Sequence, residues 1–203
     1  MRAFFTALLV SSCVLAPAAQ AQVAERPEIR AGDRWQWAEY YSVPSQAPAR
    51  NRTITAVSDE GIVGVENGEP LRLTRDTNLI ESWRDRYSTA FQALRFPLEV
   101  GQRWRFKTDW HFKPKGSSGG ADVEVEVLAH EKIRVVAGEF DAFKLRSKST
   151  QSGKSPIGSI YDGSIVTATY WYAPAARAVV RTEVHNPYLG RYTLELVGFQ
   201  PAP

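Results

Sequence analysis

Between Arg103 and Lys113 the chain alternates strictly. Trp104, Phe106, Thr108, Trp110 and Phe112 fall on one side; Arg103, Arg105, Lys107, Asp109, His111 and Lys113 fall on the other. A period of two is a strand with one buried and one wet face, whereas a helix would scatter those aromatics around its circumference. The pattern recurs as Val123, Val125 and Val127 against Asp122, Glu124 and Glu126. The Gly/Ser segment 115–120 predicts a loop joining the two strands into an antiparallel hairpin, with Arg105 and Lys107 near Glu124 and Glu126. A third strand is expected near Phe140, after a turn at Ala137-Gly138-Glu139. Phe143 and Leu145 then face inward, and Lys144, Arg146 and Lys148 face water. Basic, acidic and basic outer faces form charge ladders that hold a meander in register without any ligand.

Similar runs predict strands at 35–42, 52–58, 62–66, 71–74, 79–84, 165–172, 178–185 and 191–199. Asp59-Glu60-Gly61 and Asn67-Gly68 supply turns between them. Residues 87–94 are expected to form a turn or two of helix before Pro97. Segments 43–50 and 150–164 are read as exposed loops long enough to carry function. Many short strands with closely spaced turns define the class as all-β, an antiparallel meander forming a sandwich or open half-barrel. Gly32-Asp33-Arg34-Trp35-Gln36-Trp37 echoes Gly101-Gln102-Arg103-Trp104-Arg105-Phe106. Each is a glycine turn leading into an aromatic-faced strand, a hint of two similar halves.

The first 21 residues read differently. Arg2 precedes a short apolar run, and Ala19-Gln20-Ala21 is an A-x-A cleavage signal before Gln22. This is the pattern of a secretory signal peptide, which makes 22–203 a single β-rich domain that is periplasmic or secreted. Val10-Ser11-Ser12-Cys13 loosely resembles a lipoprotein box, so lipid anchoring at Cys13 is the alternative. Cys13 is the only cysteine. The domain beyond residue 21 therefore has neither a disulfide framework nor a thiolate nucleophile. No later stretch approaches the ~20 apolar residues of a membrane span.

The chain has 25 Lys+Arg and 22 Asp+Glu. Without Arg2 the balance is 24 to 22, with both signs interspersed, which excludes a nucleic-acid footprint. Gly116-Ser117-Ser118-Gly119-Gly120 matches G-x-S-x-G but lacks the strand before and the helix after that a nucleophile elbow requires. Ser152-Gly153-Lys154-Ser155 lacks the earlier glycine and the helix of a phosphate loop. His111, His130 and His185 share no metal-ligand spacing, and His130 is expected in a turn. Asp76, Glu81 and Asp85 alternate with Arg75, Arg84 and Arg86, which suits solvated ion pairs rather than a catalytic pair. No cofactor or metal is expected, and a hydrolase whose site assembles only in space is the least favoured reading.

Aromatic residues are the feature most open to function: 6 Trp, 8 Tyr and 9 Phe. Trp35, Trp37, Trp104, Trp110, Tyr170 and Tyr172 are the candidate lining of a site for a lipid or other apolar or amphipathic envelope ligand. The competing reading is that these rings fill an ordinary β core. An envelope protein partner, engaged through Arg105, Lys107, Lys144 or Arg146, is the second hypothesis.

Three stretches carry a resemblance: Phe96-Pro97-Leu98-Glu99-Val100-Gly101-Gln102-Arg103-Trp104, Val136-Ala137-Gly138-Glu139-Phe140-Asp141-Ala142-Phe143 and Tyr170-Trp171-Tyr172-Ala173-Pro174. Together they resemble a group of uncharacterised exported bacterial β-rich proteins, a domain-of-unknown-function group. The resemblance implies a periplasmic antiparallel half-barrel or sandwich and implies no activity.

Overall fold

The computed structural model describes residues 22–41, 50–156, 158, 160–187 and 190–202. The expected leader, Cys13 and residues 43–49 of the first expected loop lie outside the described residues. The alternation of the sequence is realised as one long antiparallel meander. Its first half is β2 (Arg34–Tyr41), β3 (Arg50–Ser58), β4 (Gly61–Glu66), β5 (Glu69–Leu73), β6 (Leu79–Glu81) and β7 (Asp85–Phe91). Its second half is β9 (Arg103–Phe112), β10 (Ser117–Val135), β11 (Gly138–Lys154), β12 (Ile160–Ala173), β13 (Ala178–Asn186) and β14 (Gly190–Gln200). The short β1 (Val23–Ala24) pairs with β8 (Leu98–Glu99) outside this sheet.

The fold is all-β and antiparallel as expected, and its sheet goes further than a sandwich or open half-barrel by closing on itself. Strand β14 pairs with β2 through Tyr192 and Tyr41, and β7 pairs with β9 through Tyr87 and Trp110, giving a closed barrel. Register shifts interrupt β3 at Ile54/Ala56, β10 at Val127/Ala129, β11 at Gln151/Gly153 and β14 at Leu196/Gly198. Such bulges raise local twist and bend a strand, which lets a long meander curl shut.

Three local expectations change. Residues 87–94 are not helical: β7 runs to Phe91, where the Tyr87 and Phe91 rings meet tilted at 5.4 Å and Phe91 meets Phe106 edge-on at 5.4 Å. The expected loops at 115–120 and 150–164 are mostly strand, with β10 starting at Ser117, β11 reaching Lys154 and β12 starting at Ile160. Gly119 faces Gly153 there, and a Cβ on Gly119 would lie 2.0 Å from the Ser152 carbonyl oxygen. The glycines thus serve a close strand approach rather than a flexible loop. His130 lies in β10, edge-on to Phe143 at 4.7 Å, not in a turn.

The hairpin expected from the charge pattern is present, with Lys107 facing Asp122 rather than a glutamate. Arg105 opposes Glu124 but bonds Asp122 at 2.7 and 2.9 Å, and Glu126 opposes Arg103. Arg146 reaches Glu126 at 2.9 Å, so the ladder spans three strands. These charges face outward while the aromatics face inward, the reverse of a lipid-facing barrel.

The two echoed segments are equivalent in three dimensions. Gly32 and Gly101 both have positive φ, 96° and 90°. The Gly32 N–H donates to Ile54 O, and Ile54 N–H donates back to Asp33 O. Likewise the Gly101 N–H donates to Val127 O, and Val127 N–H donates back to Gln102 O. Each exchange sits beside a bulge, and each delivers a buried tryptophan, Trp35 or Trp104, into its own core. One core gathers Trp35, Trp37, Ile54, Leu73, Trp171 and Leu196; the other gathers Leu98, Trp104, Phe106, Val123, Phe143 and Tyr172.

Candidate functional site

Between the two cores lies a cavity of about 200 Å³. Members of the first core, Ile29, Trp35, Trp37, Ile54 and Leu73, line one side; Leu94, Phe91, Tyr170 and Val179, from or against the second core, line the other. The wall also carries Arg50, Arg52, Arg177, Asn78 and Thr182. The space is therefore amphipathic, mostly aliphatic and aromatic with guanidinium, amide and hydroxyl groups at defined places. It is smaller than the ~300–1,000 Å³ of drug-sized sites and has room for a short chain or a segment of a longer one.

The six aromatic residues singled out from the sequence divide evenly. Trp35, Trp37 and Tyr170 line the cavity. The indole of Trp35 donates to Ala176 O and that of Trp37 to Val179 O, each at 2.9 Å, which fixes both rings across the barrel. Tyr170 is tied to Ser147 Oγ at 3.2 Å, and burial pushes its phenol up to about 12. The other three are away from the cavity. Trp104 is buried in the second core and donates to Gln92 O at 2.8 Å. Trp110 covers the Gly119–Gly153 approach and donates to Gly120 O at 3.3 Å. Tyr172 is fully buried, with Phe96 edge-on at 5.1 Å, and its hydroxyl has no partner among the described residues. Burial raises the Tyr172 phenol far above its usual range.

Beside the cavity the lumen holds an ionic network. Glu39 accepts from Tyr41 Oη at 2.7 Å, from Arg84 at 3.1 Å and from Arg50 at 3.3 and 3.4 Å. Arg84 also donates to Asp85 at 2.9 Å and lies over the Tyr192 ring at 5.8 Å. Burial opposes the charge on Arg84, but Asp85, Tyr192 and Glu39 outweigh it and keep the guanidinium protonated. Burial, and then the bond to Glu39, push Tyr41 up to about 12. Arg52 donates twice to Glu66 Oε2, at 3.0 and 2.7 Å, and lies over the Trp37 ring at 5.1 Å. Burial pushes Glu66 up, yet the charges of Arg52 and Arg50 outweigh it and hold the carboxyl below its ordinary range.

The network places inward-facing charge on strands whose other inward residues are apolar. Glu39 shares its side of β2 with Trp35 and Trp37, Arg50 and Arg52 share theirs with Ile54, and Glu66 shares its with Ile62. A charge at an in-facing position of an otherwise apolar strand face is the sequence signal of this network.

The remaining candidates stay apart. Asp76 pairs with Arg26, Glu81 with Lys113 at 2.8 Å and Asp85 with Arg84 at 2.9 Å, each with its own cation. His111 and His185 are exposed. Among the described residues no three His, Cys, Asp or Glu side chains gather as a metal site would require. No described helix is long and apolar enough to cross a membrane.

Compared by sequence, the chain matches no family model and no curated protein. Compared by structure, it is similar to a Bacteroides fragilis NCTC 9343 protein described as exported and as having a YmcC-like fold. That likeness has a TM-score of 0.54 at 14% identity, over 87% of this chain and 99% of the other. It is also similar to a Parabacteroides distasonis ATCC 8503 protein described as a lipoprotein, with a TM-score of 0.55 at 13% identity, over 88% and 100% of the two chains. At these identities the likeness is one of fold, and the chain shares that fold over nearly its whole described length.

Proposed function

We propose that this protein is an exported, non-enzymatic binding module that holds an apolar or amphipathic envelope ligand in the cavity between its two cores. The observation that carries the reading is the lining itself. Trp35, Trp37, Ile54 and Leu73 offer apolar contact, while Arg50, Arg52 and Thr182 offer polar anchorage in the same cavity. Apolar walls with a few placed polar groups are the usual make-up of a small-molecule site. A periplasmic setting follows from the A-x-A leader and agrees with the descriptions of its structural neighbours as exported and as a lipoprotein. Binding rather than catalysis is favoured because the lumenal carboxylates Glu39 and Glu66 are each engaged by arginine. The reading of an envelope protein partner is weaker, since Arg105 and Arg146 are spent on Asp122 and Glu126 within the sheet.

Native mass spectrometry with solvent extraction, on protein purified from the envelope of cells expressing the full chain, tests this directly. A reproducible bound mass that extracts as lipid or another amphiphile supports it. A clean ligand-free mass, with no melting shift on adding membrane extract, removes it.

A further inference from the structure

The charges around the cavity are not distributed evenly. Three arginines, Arg50, Arg52 and Arg177, line it, and among the described residues no Asp or Glu does. The acids that neutralise them stand behind: Glu39 behind Arg50, Glu66 behind Arg52 and Asp33 behind Arg177. Glu39, Glu66 and Asp33 have side chains 2%, 1% and 0% exposed, so their charge is turned into the protein. We infer that the site selects an amphiphile with an anionic head, held by Arg50 and Arg52, with its tail along Ile54, Leu73, Leu79 and Leu94. This deepens the proposed function and rests on it.

The geometry supports a head at this position in particular. Arg50 and Arg52 are two residues apart on β3, on the same face, opposite Trp37 and Trp35. A guanidinium has five N–H donors in a planar fork. Arg52 spends Nε and Nη2 on a single carboxylate oxygen, and Arg50 spends the same two atoms on Glu39 at the long distances of 3.4 and 3.3 Å. Among the described residues neither Nη1 has an acceptor. Donors of fixed direction at a wall without competing acids suit a carboxylate or a phosphate monoester, and they penalise a cation. A neutral hydroxyl head leaves the same donors less well satisfied.

Four single-chain probes separate the possibilities: octanoate, octyl phosphate, octanol and octylammonium. Binding is followed through the indole N–H resonances of Trp35 and Trp37, which line the cavity and are fixed by hydrogen bonds. The inference predicts that at least one anionic probe binds about tenfold or more tighter than octanol, with octylammonium weakest. The order of octanoate and octyl phosphate tells a carboxylate head from a phosphate head. The preference collapses in the double variant Arg52→Gln/Glu66→Gln, which removes both charges without stranding either, and falls in Arg50→Gln. Octanol binding as tightly as both anions overturns the anionic head while leaving the amphipathic site standing. Failure of all four probes to move either indole overturns the inference and the proposed function together.

Discussion

Arg52 holds Glu66 by one oxygen only. Both guanidinium contacts, at 3.0 and 2.7 Å, converge on Oε2, and Oε1 is buried without a partner among the described residues. The two residues face one another across β3 and β4, so the strand pairing itself sets the geometry. A buried carboxylate with half its acceptor capacity unused depends heavily on the cation that bonds it.

That dependence has a pH signature. Glu66 is held below its ordinary range in the folded state by Arg52 and Arg50 despite burial. A carboxyl whose folded value is depressed contributes stability above its unfolded value, about 4.3, and the contribution is lost as pH falls through the folded value. Urea midpoints of the wild type should fall as pH is lowered from about 5 through 4 and below. In Arg52→Gln/Glu66→Gln this part of the acid slope should be absent. Glu66→Ala, which strands the Arg52 charge, should cost about 3 kcal/mol at neutral pH.

Tyr172 offers the opposite case. Its ring is fully buried in the second core and its hydroxyl has no partner among the described residues. Tyr172→Phe keeps the packing against Phe96 and removes an unsatisfied polar atom. The variant should be neutral or more stable by about 1 kcal/mol, read as a rise in Tm of roughly 2–4 °C.

The glycine pair at the end of the β10–β11 ladder makes a third test. A Cβ on Gly153 would lie 2.4 Å from Ser118 O and 2.9 Å from the Trp110 ring, whereas one on Gly120 would first meet Asp109 Oδ1 at 3.6 Å. Gly153→Ala should therefore cost about 1–3 kcal/mol, and Gly120→Ala should stay within about 0.5 kcal/mol, by urea unfolding. Equal effects would mean that the close approach is not what the glycine serves.

How legible the fold was depends on which physical signal each element carries. Strand β9 could be read with no ambiguity because its aromatics keep a period of two over ten residues. Strand β7 was missed because Thr89 is exposed where the alternation would bury it, and its pairing with β9 is a long-range event. Closure of the barrel was also out of reach, since it follows from bulges such as Ile54/Ala56 that leave the hydrophobic pattern unmarked. Around the cavity, Trp35, Trp37 and Tyr170 are visible as aromatics on strands, but so are Trp104, Trp110 and Tyr172, which do not line it. Residue type could not separate the two sets; the position of each strand around the barrel does. The lumenal charges Glu39, Arg50, Arg52 and Glu66 are readable as in-facing positions; Arg50 and Arg52 line the cavity, with Glu39 and Glu66 bonded to them.

Filling the cavity between the two cores shows whether it is the binding site. Thr182 lines it from β13, opposite Leu194 and Tyr170, which also line it. Thermal unfolding of the wild type and Thr182→Phe should be compared with and without octanoate or octanol. At a hundred times Kd a bound ligand stabilises by about 2.7 kcal/mol, a rise of several degrees. We predict that rise in the wild type and its loss in a Thr182→Phe protein that still unfolds cooperatively. An equal rise in both proteins, or none in the wild type, would contradict the claim that the cavity is the binding site.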